Sequence, residues 1–167
     1  MVYPFPVPFK LTIQPQPAPD TASWIIDRLI AFNESRAGSR NVRSFAIFAY
    51  DRGAEPVGGL LCNCHWNHLF VSAVFVSESH RRKGVGRNLL AAAENLALEQ
   101  GCEAIFLDSF DFQAPGFYKK AGFKVFGVLN DYPRGHQRFF LVKPLGKRAP
   151  HAKTQEGSHA KSERRKG

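Results

Sequence analysis

A mixed α/β fold is predicted for this chain of 167 residues, one sheet with flanking helices in the order β-α-β-β-β-α-β-α-β-β. Three observations predict it. Short runs of strand length, apolar or alternating, recur at 10–14, 43–50, 56–64, 69–76, 104–110, 123–129 and 137–143. Two longer segments between them carry apolar residues at helical spacing. Tight turns join the early runs and helical segments join the later ones, so antiparallel pairs come first and α/β crossovers follow.

Residues 10–14 (Lys-Leu-Thr-Ile-Gln) alternate as a half-buried strand does, and Pro15 to Pro19 break it. Asp20 or Thr21 suits the N-cap of a helix through Trp24, Ile25, Leu29 and Phe32, which Gly38 stops. Asp51-Arg52-Gly53 marks the turn between strands 43–50 and 56–64. A second turn at Trp66-Asn67-His68 leads into strand 69–76. The helix Val85 to Gln100 places Val85, Leu89, Ala92, Ala93, Leu96 and Ala97 on one face, and Gly101 ends it. Residues 104–110 read as a buried strand. Ala114 to Ala121 read as a short helix that tolerates Pro115 in its first turn. Runs 123–129 and 137–143 close the sheet as a hairpin across loop 130–136. No internal repeat or interior linker interrupts this series, so residues 1–145 read as one domain.

Charge is unevenly placed. Residues 146–167 carry seven Lys or Arg against two Glu and almost no large apolar side chain, so they read as a disordered basic tail. Such a tail attracts polyanions nonspecifically, and a solvated tail without a dedicated partner is the plainer reading. No apolar run is long enough to span a bilayer. Met1 to Phe9 alternates proline with apolar residues and lacks the basic start of an export signal. With Cys62, Cys64 and Cys102 read as reduced thiols, the expected compartment is the cytoplasm. Cys62-Asn63-Cys64-His65-Trp66-Asn67-His68 offers two thiols and two imidazoles, but alternation sends Cys62 and Cys64 to one face and His65 to the other. That spacing fits no usual zinc pattern, and no metal is expected.

Chemistry concentrates at Arg81-Arg82-Lys83-Gly84-Val85-Gly86, which follows the strand Leu69 to Val76 and opens a helix. A strand, a basic glycine-containing loop and a helix N-terminus direct several backbone N–H groups and a positive dipole end at one point. That is a receptacle for a pyrophosphate. Glycine at 84 and 86 lets the backbone approach an anion closely, and Arg81, Arg82, Lys83 and Arg87 add charge.

The R-x-x-G-x-G pattern after a strand, followed by Phe117-Tyr118-Lys119-Lys120-Ala121-Gly122-Phe123, resembles the GCN5-related N-acetyltransferase (GNAT) superfamily over roughly residues 10–145. Asp108-Ser109-Phe110-Asp111-Phe112-Gln113-Ala114-Pro115-Gly116-Phe117-Tyr118, then Asp131 to His136, resembles a bacterial subgroup of small stand-alone members. The resemblance implies a twisted, mostly antiparallel sheet of about six to seven strands whose central pair parts. It implies that acetyl-coenzyme A lies in the gap, its pantetheine arm pairing with Val74, Phe75 and Val76 and its pyrophosphate on residues 81–87. A backbone N–H near Val76 would then face the thioester carbonyl, and Tyr118 would protonate the leaving thiolate. At the place where many members carry asparagine stands Asp111, which either keeps a coenzyme contact or caps the helix near Ala114. The acceptor amine must shed a proton, and Glu34, Glu78, His80, Asp108 and His136 are the titratable candidates near the expected cleft. Loop 130–136 would overhang the acceptor. The implied function is acetyl transfer to a primary amine of a small molecule. A protein or peptide N-acetyltransferase and a coenzyme-binding module without turnover are the alternatives. A homodimer is the assembly the family suggests.

Overall fold

Pro19, with its fixed φ, starts the first helix earlier than the side-chain caps suggested. In the computed structural model, which describes residues 9–146, α1 runs Pro19–Ala37 with Ala18 as N-cap. The N–H groups of Thr21 and Ala22 donate to the Ala18 carbonyl at 2.9 and 3.1 Å. Asp20 and Thr21 are therefore inside the first turn and neither caps it. Proline needs no N–H partner there, and Asp20 complements the positive dipole end. Residues 10–14 form no strand. Their alternation describes two faces, but a strand also needs a ladder partner, and Leu11 and Ile13 stay exposed.

The chain divides into two compact units, Met1–Asn41, which contains α1, and Val42–Gly167, which contains the sheet. In the second unit β1 spans Arg43–Tyr50, β2 Pro56–His65, β3 His68–Val76, α2 Val85–Glu99, β4 Ala104–Phe110, α3 Pro115–Lys120, β5 Lys124–Asn130 and β6 Gln137–Pro144. The six strands lie in the order β1-β2-β3-β4-β6-β5. β3 and β4 are parallel, joined through α2, and every other pair is antiparallel. The expected basic tail lies outside the described residues except for Gly146.

α2 covers β1 to β4 on one face of this sheet. Leu89, Leu90, Ala93 and Ala97 meet Leu60, Cys62, Cys64, Leu69, Val71, Ile105, Leu107 and Leu141, and Tyr118 and Phe123 complete the cluster. Leu90 takes a fully buried place that the helical spacing had given to Ala92. Cys62 and Cys64 point into the core as the alternation required, and the Cys102 thiol lies 3.5 Å from that of Cys64. Among the described residues no three metal-ligating side chains gather, and no helix is long and apolar enough to cross a membrane. The opposite face of the sheet carries a row of half-buried rings, with Phe70 stacked on Phe106 at 4.9 Å.

Candidate active site

The decisive feature is one extra residue in β3. Leu61 on β2 pairs with Ala73 and Cys62 pairs with Val71, so Ser72 is left over as a β-bulge. A bulge bends its strand and increases the local twist. The parallel ladder between β3 and β4 ends at that point. Its last pair is Val71 with Leu107, although β3 runs on to Val76 and β4 to Phe110. Beyond the bulge Ala73, Val74, Phe75 and Val76 pair with β2 alone, and the other edge of β3 borders a gap. Backbone groups on such an edge require a partner, so the gap is suited to an extended, amide-bearing ligand. Gly58 and Gly59 stand opposite Val76 and Phe75. A Cβ on Gly58 would meet the Phe75 carbonyl oxygen at 2.9 Å and the Val85 side chain at 3.2 Å, so β2 closes on this edge only because the residue is glycine.

β3 leads through a 3-10 turn, Glu78–His80, into the basic loop. Arg81 Nε donates to the Val76 carbonyl at 3.2 Å, so this guanidinium braces the end of β3. Arg82 and Gly84 have φ of 60° and 88°, in the left-handed region. Gly84 is the N-cap of α2, and nothing lies within 4 Å of the place a Cβ would occupy. No side chain caps α2 and its first turn holds no acidic residue, so its leading N–H groups and dipole face outward uncompensated. Arg82, Lys83 and Arg87 are exposed beside them. Gly86 has an inward reason to be glycine, because a Cβ there would meet the Phe117 ring at 3.3 Å. Val85 packs against the core, leaving only its backbone for a ligand.

α3 is fastened to the end of β4 by polar contacts around the buried Ser109. Ser109 is 1% exposed, and its hydroxyl accepts the Ala114 N–H at 3.4 Å. The Gln113 side-chain oxygen accepts the Phe110 N–H at 2.9 Å. These bonds hold the turn that delivers Tyr118, which is 8% exposed and wedged between Phe117 and Phe123. Burial, and secondarily the Asp108 carboxylate, push its phenol above the ordinary value of 10.0. Asp108 is the first β4 residue past the ladder with β3. Arg138 Nε on β6 donates to its carboxylate at 2.7 Å, and the Phe110, Tyr132 and Phe140 rings surround that guanidinium at 5.3, 5.9 and 5.6 Å.

Asp111 does not cap α3, whose N-cap is Ala114 without a side-chain bond. Its carboxylate turns toward β6 instead. It accepts the N–H of Phe112 at 2.8 Å and of Gln137 at 3.2 Å, and lies 3.1 Å from His136 Nδ1. The Phe112 ring meets the His136 ring edge-on at 5.0 Å and stacks on Phe110 at 5.1 Å. Loop 131–136 closes with Tyr132 N–H on the His136 carbonyl and Gly135 N–H on Asp131 Oδ1, at 3.0 and 2.6 Å. Of the other acid–base candidates, Glu34 accepts the Arg40 N–H at 3.0 Å within the first unit. Glu78 is exposed on the 3-10 turn. His80 shares its Nδ1 with the hydroxyls of Ser77 and Ser79, each at 3.0 Å.

A parted parallel pair lies beside a glycine-turned, uncapped helix start, and comparison with known proteins shows the family in which this fold occurs. The model of the acetyltransferase (GNAT) family matches residues 10–123. Blasticidin-S acetyltransferase of Streptomyces morookaense is 36% identical over 108 residues, 64% of this chain and 79% of that protein. An acetyltransferase of Agrobacterium fabrum is 31% identical over 119 residues, 71% of this chain and 87% of its own length. A crystal structure of an acetyltransferase from Bacillus cereus superposes with a TM-score of 0.75 at 32% identity, covering 80% of this chain and 98% of that one. With a family model matched over residues 10–123 and relatives of this similarity, the chain belongs to the GNAT family of acetyltransferases.

Proposed function

We propose that this acetyltransferase moves the acetyl group of acetyl-coenzyme A to a primary amine of a small molecule, by direct attack while both substrates are bound. The observation that carries the reading is the gap opened at Ser72, which runs toward the uncapped start of α2. The donor fits these residues. The free edge of Val74, Phe75 and Val76 suits the pantetheine amides. The backbone of Gly84, Val85 and Gly86, with Arg82, Lys83 and Arg87, suits the pyrophosphate. Arg81 holds the loop against β3. When bound, acetyl-coenzyme A supplies an activated acyl carbon and a thiolate leaving group. The backbone near Val76 offers an N–H to the oxygen on which charge develops. Tyr118, protonated through the neutral range, holds the proton the leaving sulfur needs.

A small-molecule acceptor is favoured by the face that carries Asp108, Phe110, Phe112 and Tyr132, where rings and a carboxylate adjoin the gap. It agrees with a relative named for acetylating blasticidin S. The cytoplasm is the compartment this chemistry suits. The test is a panel of amines assayed for thiol release from acetyl-coenzyme A, with calorimetry of coenzyme binding alongside. Coenzyme binding and amine-dependent release are expected. A folded sample that gives no binding heat with acetyl-coenzyme A or with coenzyme A ends the reading.

A further inference from the structure

We infer that the His136–Asp111 pair is the general base of the transfer, with Nε2 of His136 taking the proton from the acceptor ammonium. This rests on the acetyl-transfer reading above and names the residue that reading leaves open. An ionised carboxylate only accepts hydrogen bonds, so the short contact from His136 Nδ1 to Asp111 places the ring hydrogen on Nδ1. In the neutral ring the lone pair is then on Nε2. Asp111 is itself fixed by two backbone donors, from Phe112 and Gln137, so the ring has a rigid support. The Phe112 ring, edge-on to the imidazole, sets its plane.

Placement favours this pair over its rivals. β6 pairs Arg138 with Phe110 and Phe140 with Asp108, which puts these four on one face of the sheet, and beyond the strand ends the Phe112 ring stacks on Phe110 and meets the His136 ring. That face borders the gap at Asp108. Phe110, Phe112 and Tyr132 form an aromatic surface along it, on which an ammonium is attracted to the ring faces. Asp108 is nearer the gap, but its carboxylate is engaged by Arg138. The titratable and charged groups around the ring are Asp111, in contact with it just past β4, then Asp131, Tyr132 and Arg134 of its own loop, and the Asp108–Arg138 pair on β4 and β6. In the step, an N–H bond of the ammonium breaks and its electron pair stays on nitrogen as the nucleophile. The proton bonds to Nε2 and leaves to water, since the ring is 47% exposed. Asp111 is a positioning residue and touches no substrate.

Two variants test this, H136Q and D111N, both at exposed positions where folding is checked by thermal melting. Each is assayed for kcat/KM of an alkylamine acceptor against pH, and again with an O-alkylhydroxylamine, which is neutral at pH 7 and needs no base. H136Q is expected to lose on the order of 100-fold with the alkylamine, to lose the acid limb of the profile, and to bind acetyl-coenzyme A as before. With the hydroxylamine it should approach the parent enzyme. D111N should shift the acid limb and retain part of the rate. An acid limb that persists in H136Q, or equal slowing on both acceptors, overturns the assignment. Absence of thiol release by the parent enzyme with every amine instead overturns the transfer reading, and this one with it.

Discussion

Tyr118 shows how one side chain answers to two demands. It is core by burial, between Phe117 and Phe123, yet its phenol sits within the electrostatic reach of Asp108 at the parted strands. Both influences keep it protonated, which is the form a general acid needs. Tyr118→Phe is expected to lower kcat by about 10- to 100-fold, with acetyl-coenzyme A affinity within about twofold of the parent. Steady-state turnover and calorimetry check this, and unchanged turnover removes Tyr118 from the chemistry. Asp111 shows the opposite case. A carboxylate three residues before Ala114 looks like a cap, and nothing local in the chain reveals that Gln137 at the start of β6 and His136 just before it are its partners. The pairing is 25 residues apart in sequence and only the sheet joins it. Arg81, expected at the phosphates, also braces the end of β3 through its Nε on the Val76 carbonyl, a contact the sequence did not reveal.

At the scale of elements, the loop before α2 carries its function in backbone shape. Gly84 occupies the left-handed region with open space around it, so Gly84→Ala meets no clash and costs about 1 kcal/mol of conformational strain. The strain falls where the anion is expected to dock. The variant should therefore lose affinity for acetyl-coenzyme A several-fold while its kcat at saturation holds, as calorimetry and saturation kinetics will show. Equal affinity in the variant would move the pyrophosphate elsewhere. Strands β1 to β6 and the helix before β4 were legible because alternation, turn residues and helical spacing agreed along each. The run 10–14 was misread because alternation alone does not supply a neighbouring strand. The bulge at Ser72 was not legible at all. It is a mismatch of register between two strands, and a polar residue in an apolar run is the faint trace it leaves.

The whole molecule sets the alkaline limit of stability. Burial raises the Cys62 thiol to about 11 and the Cys102 thiol to about 12, with the neighbouring Cys64 adding to both shifts. Burial also raises Tyr118. Each folded-state value lies above its unfolded one, so the native state holds these protons more tightly than the unfolded chain does. Their stabilisation is complete below about pH 8, before an unfolded thiol ionises appreciably, and is lost as pH rises toward the folded values. Melting temperature should be flat from neutral pH to about 8 and then fall. Cys62→Ala combined with Cys102→Ala should flatten part of that fall, and a fall of unchanged slope would dissociate it from the thiols. The order of strands and helices, the glycine turn at 84 and the tyrosine of α3 were determined by residues close together in the chain, because periodicity, turn chemistry and motif spacing are local. Where β3 leaves β4 and what Asp111 binds were decided by the tertiary structure alone. Register and cross-strand contact are relations between distant segments, and they exist only once the sheet has closed.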